Sequence, residues 1–184
     1  MDRVILHDQR LDGQVESGLG TVIPVNGATP LDQAFRDVKA AVVSSPTELV
    51  IACHGFMTHD YEGASHVDLA GGQGLQLCRE TLQVSNVSRV EALKGLFTRI
   101  WLMACGPAGT LVNRSRPFCR EFAAWAETPV VASDTAQSYF PGNYDNANQI
   151  SRRVLRFGAW EGNVFQFFPN GDVKPFSRTQ SPLP

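Results

Sequence analysis

Two stretches decide the fold: Leu49-Val50-Ile51-Ala52-Cys53-His54-Gly55 and Ile100-Trp101-Leu102-Met103-Ala104-Cys105-Gly106. Each starts as a short, unbroken apolar run with no polar alternation. A strand with one face in water alternates, whereas a strand covered on both faces does not. Each run stops at a reactive side chain followed by glycine. A third run, Val130-Val131-Ala132-Ser133-Asp134, has the same form and ends on polar residues.

Helical patterns lie between these runs. Over 31–43, Leu31, Ala34, Phe35, Val38, Ala41 and Val42 recur at helical spacing. Thr29 is expected to cap that helix, with Pro30 in its first position, and Ser44-Ser45-Pro46 to stop it. A second helix is expected over 86–97, on Val87, Val90, Leu93, Leu96 and Phe97. Ser115 ahead of Arg116-Pro117 opens a third, with Phe118, Phe122, Trp125 and Ala126 as its apolar stripe. A last helix is expected over 146–157. Strands alternating with helices argue an α/β fold with a mostly parallel central sheet. All 184 residues fit a single domain.

Residues 1–27 are glycine-rich, with two short β-like runs, and read as an N-terminal arm or edge hairpin. Residues 56–73 are polar and glycine-rich and read as a long loop, with a short strand over 74–78 that carries Gln76. Asn170-Gly171 between two apolar runs signals a C-terminal β-hairpin. Residues 177–184 read as a flexible tail.

Sixteen Lys and Arg against eighteen Asp and Glu give a formal net charge of -2. No basic run offers a footprint for nucleic acid or an anionic membrane. The absence of a leader-like or spanning apolar segment leads to a cytoplasmic expectation. The four cysteines, Cys53, Cys78, Cys105 and Cys119, are spaced unlike a disulfide framework and read as free thiols. Cys53, one residue from His54 on a strand, should face the opposite way, into the core. His59 and His66 follow His54 at spacings that match no metal pattern, and with Asp60 and Asp68 they read as solvated loop residues. No P-loop, dinucleotide fingerprint or serine-nucleophile elbow is present, so neither a metal nor a cofactor is expected. Oligomeric state is not legible.

Ligands of parallel sheets bind outside the carboxyl ends of the strands. His54, Cys105 and Ser133-Asp134 all fall at such ends. A thiolate attacks carbonyl carbon, and an imidazole takes the thiol proton and returns it to the leaving group. Backbone N–H groups must meet the developing oxyanion, and Gly55 and Cys105 are the candidate donors.

Strand-His-Gly, followed 51 residues later by strand-Ala-Cys-Gly, resembles the caspase-type (clan CD) cysteine peptidases. The likeness is nearest to bacterial CHAT-type and surface-protein-associated caspase-like domains, and covers roughly residues 30–176. It rests on the three runs quoted above and, less specifically, on Gly158-Ala159-Trp160-Glu161-Gly162-Asn163 running into Phe168-Pro169-Asn170-Gly171. The resemblance implies a three-layer α/β/α sandwich. It implies His54 as base, Cys105 as nucleophile, and the N–H groups of Gly55 and Cys105 as oxyanion hole. Ser133, Asp134 and, beside the cleft, Gln76 would contact a peptide or protein substrate. The chain departs from the caspase motif Gln-Ala-Cys-X-Gly: Met103 replaces the Gln, and the glycine comes one residue early at Gly106. The alternative is a catalytically silent caspase-fold module that binds a peptide or partner protein.

Overall fold

In the computed structural model of the chain, the two opening stretches form adjacent parallel strands inside a seven-stranded mixed sheet. The structure describes residues 2–43, 47–56, 58–59, 68–69, 71–110, 116–138, 140–141 and 155–183. In chain order the strands are β1 (Asp2–Asp8), β2 (Thr21–Val25), β3 (Thr47–Ala52), β4 (His54–Gly55), β5 (Thr58–His59), β6 (Asp68–Leu69) and β7 (Gly74–Gln76). They continue with β8 (Leu82–Gln83), β9 (Arg99–Met103), β10 (Val130–Ser133), β11 (Phe140–Pro141), β12 (Leu155–Arg156), β13 (Val164–Phe167) and β14 (Val173–Pro175). The main sheet runs β14-β13-β10-β9-β3-β1-β2. Its strands from β10 to β2 are parallel, and β13 and β14 add an antiparallel edge. The α/β class expected from the sequence is therefore the observed one.

The unbroken apolar runs are explained by two cores. One face of the sheet presents Val4, Leu6, Leu49, Ile51, Ile100, Leu102, Val130 and Ala132 to α1 (Leu31–Ala40), a 3-10 helix (Val84–Leu93) and α2 (Pro117–Ala126). The alternate residues Ile5, Val50, Ala52, Trp101, Met103 and Val131 face Leu11, Phe157, Trp160 and Leu183. Among the described residues the helices all cover the first face, and extended chain covers the second. Most of the last expected helix, 146–154, lies outside the described residues; Leu155–Arg156 is a strand.

Several local expectations are corrected by packing. The opening residues form no hairpin arm, because β1 and β2 run parallel and β1 also pairs with β3. Residues 9–20 make the crossover between β1 and β2, burying Leu11 in the second core. The tail is docked rather than loose. The Trp160 indole donates to Gln180 O at 2.7 Å, Phe157 N donates to Leu183 O at 3.2 Å, and Leu183 is fully buried. Thr29 does not cap α1: the Leu31 N–H is met instead by the Glu80 carboxylate, 2.9 Å away. The expected second helix is 3-10 in form, since Val87, Val90 and Leu93, three apart, line up as one buried stripe only at about three residues per turn. In α2, Trp125 is exposed, and the buried stripe is Phe118, Cys119, Phe122, Ala123 and Ala126. The C-terminal hairpin forms as expected, β13 against β14.

Candidate functional site

Register sets the two strand ends that carry the proposed pair side by side. Ala52 on β3 is paired with Met103 on β9. His54 and Cys105 each lie two residues beyond that pair, at the same end of the sheet. Their backbones touch: a β-carbon placed on Gly55 would overlap the Cys105 carbonyl oxygen and lie 2.9 Å from Cys105 N. Only glycine permits that approach. Gly106 then turns with φ +59°, a left-handed conformation that glycine adopts freely. Its N–H donates to Thr135 O at 2.8 Å, and Ala108 N donates to Ser133 O at 3.0 Å, so the chain beyond Cys105 is laced to the end of β10. Gly72 N donates to Gly106 O at 2.9 Å, returning the chain from the long loop to the same place.

His54 is half-buried. Its Nε2 lies 3.0 Å from the Arg10 carbonyl oxygen. A carbonyl only accepts, so Nε2 carries the hydrogen and Nδ1 is the ring's acceptor. Arg10 sits in the turn after β1, the strand next to β3. Its guanidinium grips Asp8 in a fork, Nε to Oδ1 at 2.8 Å and Nη2 to Oδ2 at 2.7 Å. Asp8 is fully buried and also accepts from Cys78 N at 2.8 Å and Arg10 N at 3.1 Å. Burial pushes the Asp8 carboxyl up, but these hydrogen bonds and the adjacent cation outweigh it and hold the group below the ordinary carboxylate range.

Cys105 is half-buried, whereas Cys53, Cys78 and Cys119 are buried. Burial drives the Cys53 thiol well up, the Cys78 thiol to about 12, and the Cys119 thiol up as well. Cys53 packs in the first core, as its place one residue before His54 requires. The Cys105 sulfur accepts from Gln137 N at 3.4 Å and lies 3.7 Å from Gln137 O. The Gln137 side chain anchors that segment. Its Oε1 accepts from Glu161 N at 3.0 Å, and its Nε2 is within hydrogen-bond reach of Ser133 Oγ at 2.9 Å and Glu161 O at 3.1 Å.

The residues expected to contact substrate have structural partners. Ser133 is buried, and its hydroxyl donates to Glu161 O at 2.7 Å. The Asp134 carboxylate accepts from Asn163 N at 2.9 Å and Asn163 Nδ2 at 3.1 Å. Gln76 pairs with His54 across the β4–β7 ladder, and its carbonyl accepts from Arg10 Nη2 at 3.2 Å. His66 and Asp60 lie outside the described residues, as do the side chains of His59 and Asp68. Among the described residues no three His, Cys, Asp or Glu side chains gather as metal ligands, and no helix is long and apolar enough to cross a membrane.

Arg10, Asp8 and Gln137 join the site without a sequence signal that singles them out. The one local clue was polar residues at the ends of β1 and β10. No family model, curated protein or solved structure matches this chain.

Proposed function

We propose that this chain is a cysteine hydrolase of the caspase type that cuts peptide bonds, with Cys105 as nucleophile and His54 as base. The reading takes the sheet as the core of a caspase-like three-layer sandwich. The observation that carries it is the direct backbone contact between Gly55 and Cys105, which sets the imidazole-bearing and thiol-bearing strand ends side by side. Further support comes from Cys105, which alone of the four thiols is not buried.

In the reaction, His54 takes the thiol proton through Nδ1, and the Cys105 sulfur attacks the scissile carbonyl carbon. The carbon–nitrogen bond breaks, the leaving amine takes the proton from the imidazolium, and a thioester remains on Cys105. Water, deprotonated by His54, then hydrolyses the thioester, releasing the acid and restoring the thiol. Gly55 N–H and Cys105 N–H would meet the oxyanion. The substrate is a peptide or protein.

The 3.7 Å approach of the Cys105 sulfur to Gln137 O favours a second reading, a silent module that binds a peptide, because a carbonyl partner stabilises the neutral thiol. An electrophilic peptide library under reducing conditions separates the two. Labelling of the wild type at Cys105, lost in Cys105→Ala and weakened in His54→Ala, is expected of the hydrolase. A wild type that takes no label sinks it.

A further inference from the structure

We propose that Asp8 and Arg10 are positioning residues that fix the tautomer and aim of the His54 ring; this rests on the hydrolase reading for its catalytic meaning. His54 is tethered twice, and both tethers lead to one ion pair. The first is the ring itself, with Nε2–H donating to Arg10 O at 3.0 Å. The second is its strand: His54 pairs with Gln76, and the Gln76 and Cys78 carbonyls accept from Arg10 Nη2 at 3.2 and 2.9 Å. The Arg10 carbonyl can serve only while its residue stays still, and the fork onto fully buried Asp8 holds it.

The arrangement does a specific chemical task. A neutral imidazole exists as two tautomers, and the one present is set by the hydrogen bond at the other nitrogen. A carbonyl at Nε2 selects Nε2–H and leaves Nδ1 able to accept a proton. Asp8 does not touch the ring. It acts through Arg10, and a carboxylate placed there instead of a carbonyl would also raise the ring's basicity. Among the described residues, the charged and titratable groups around this joint include Asp8, Arg10, Cys53, Cys78 and Cys105, with Glu80 and Arg89 also acting on Cys78. Gripping a backbone carbonyl by an ion pair fixes geometry while keeping the carboxylate charge off the ring.

The test begins with the wild-type chain, whose imidazole nitrogen shifts and ring proton couplings report the tautomer of His54 directly, with His54→Gln used to assign the signals. A dominant Nε2–H tautomer near neutral pH is expected; a dominant Nδ1–H tautomer overturns the proposal. This reading needs no activity, so it stands or falls apart from the hydrolase assignment. In Asp8→Asn and Arg10→Gln, held well below their melting temperatures, the tautomer ratio is expected to move toward an even mixture. Labelling of Cys105 by the electrophilic peptide should fall about 10- to 100-fold, part of the roughly 10²–10⁴ that a positioned base supplies. Folded variants with wild-type tautomer ratio and labelling rate overturn the proposal even where the wild type is labelled. A wild type that shows the Nε2–H tautomer but takes no label supports the positioning and removes the hydrolase reading.

Discussion

The backbone N–H of Gln137 donates to the sulfur of Cys105 across 3.4 Å, while the carbonyl of the same residue lies 3.7 Å from that sulfur. The two contacts pull in opposite directions: an amide N–H favours the thiolate, a carbonyl the thiol. Gln137 has no charge to offer. Its influence lies in where its backbone is held.

That hold is the buried side-chain amide. Gln137→Ala removes the acceptor for Glu161 N and the link to Ser133 Oγ. It is expected to cost about 1–3 kcal/mol of stability, the sum of two or three lost hydrogen bonds at about 0.5–1.5 kcal/mol each. Alkylation of Cys105 should slow about two- to tenfold, the rate equivalent of one net hydrogen bond of about 0.5–1.5 kcal/mol. Denaturation curves and iodoacetamide kinetics read the two effects; an alkylation rate equal to the wild type's would refute the role given to the Gln137 backbone.

Gly55 has no room for a single added methyl. In Gly55→Ala the new carbon would overlap the Cys105 carbonyl oxygen and lie 2.7 Å from the Cys105 carbonyl carbon, and neither neighbour is a side chain that can swing away. A loss of about 1–3 kcal/mol is expected from overpacking, with loss of Cys105 labelling in whatever folds. Thermal melts with peptide-probe labelling test this, and a stable, fully labelled Gly55→Ala protein would contradict the contact.

The four thiols should separate cleanly in reactivity. Cys53, Cys78 and Cys119 are buried and their thiols shifted upward, the Cys78 group to about 12. In native protein at neutral pH a small electrophile is expected to modify Cys105 alone at first, the others reacting only as the chain unfolds. Peptide mass mapping at early times checks the order. Early modification of Cys53 would show that the first core is not closed.

Asp8 makes the fold acid-sensitive. Its folded carboxyl pKa lies below the ordinary value of 3.8, so its stabilisation is fully present above that value and fades as the pH falls through the folded pKa. At neutral pH, Asp8→Asn is expected to cost about 2–4 kcal/mol, less than the 3–5 of a fully buried broken pair because Arg10 still reaches solvent. The gap between wild type and variant in urea unfolding should narrow below about pH 4. A gap that is flat across the acid range would show that the pair's charge is not what stabilises.

The central strands, the class of fold and the strand-end positions of His54, Cys105 and Ser133 were legible in the sequence, because each is written in neighbouring residues. An unbroken apolar run needs two covered faces, and β3, β9 and β10 have them. The hairpin of β13 and β14 was equally local, in its Asn-Gly turn. Misread segments failed where a distant partner overrode the local pattern: Glu80, not Thr29, meets the first N–H of α1, and β1, flanked by glycine-rich chain, found a place between β2 and β3.

The sequence by itself marked His54 and Cys105 as the candidate pair and determined at which end of the sheet they stand. Only the tertiary structure decided what touches them. The His54 ring meets a carbonyl 44 residues away, Arg10 holds the Cys78 carbonyl across 68, and the Cys105 sulfur meets an amide across 32. Helix and strand periods carry information over a few residues. Contacts across tens of residues are fixed by the register of parallel strands and by burial of a charge that must find its partner. In this chain, both converge on the His54–Cys105 end of the sheet.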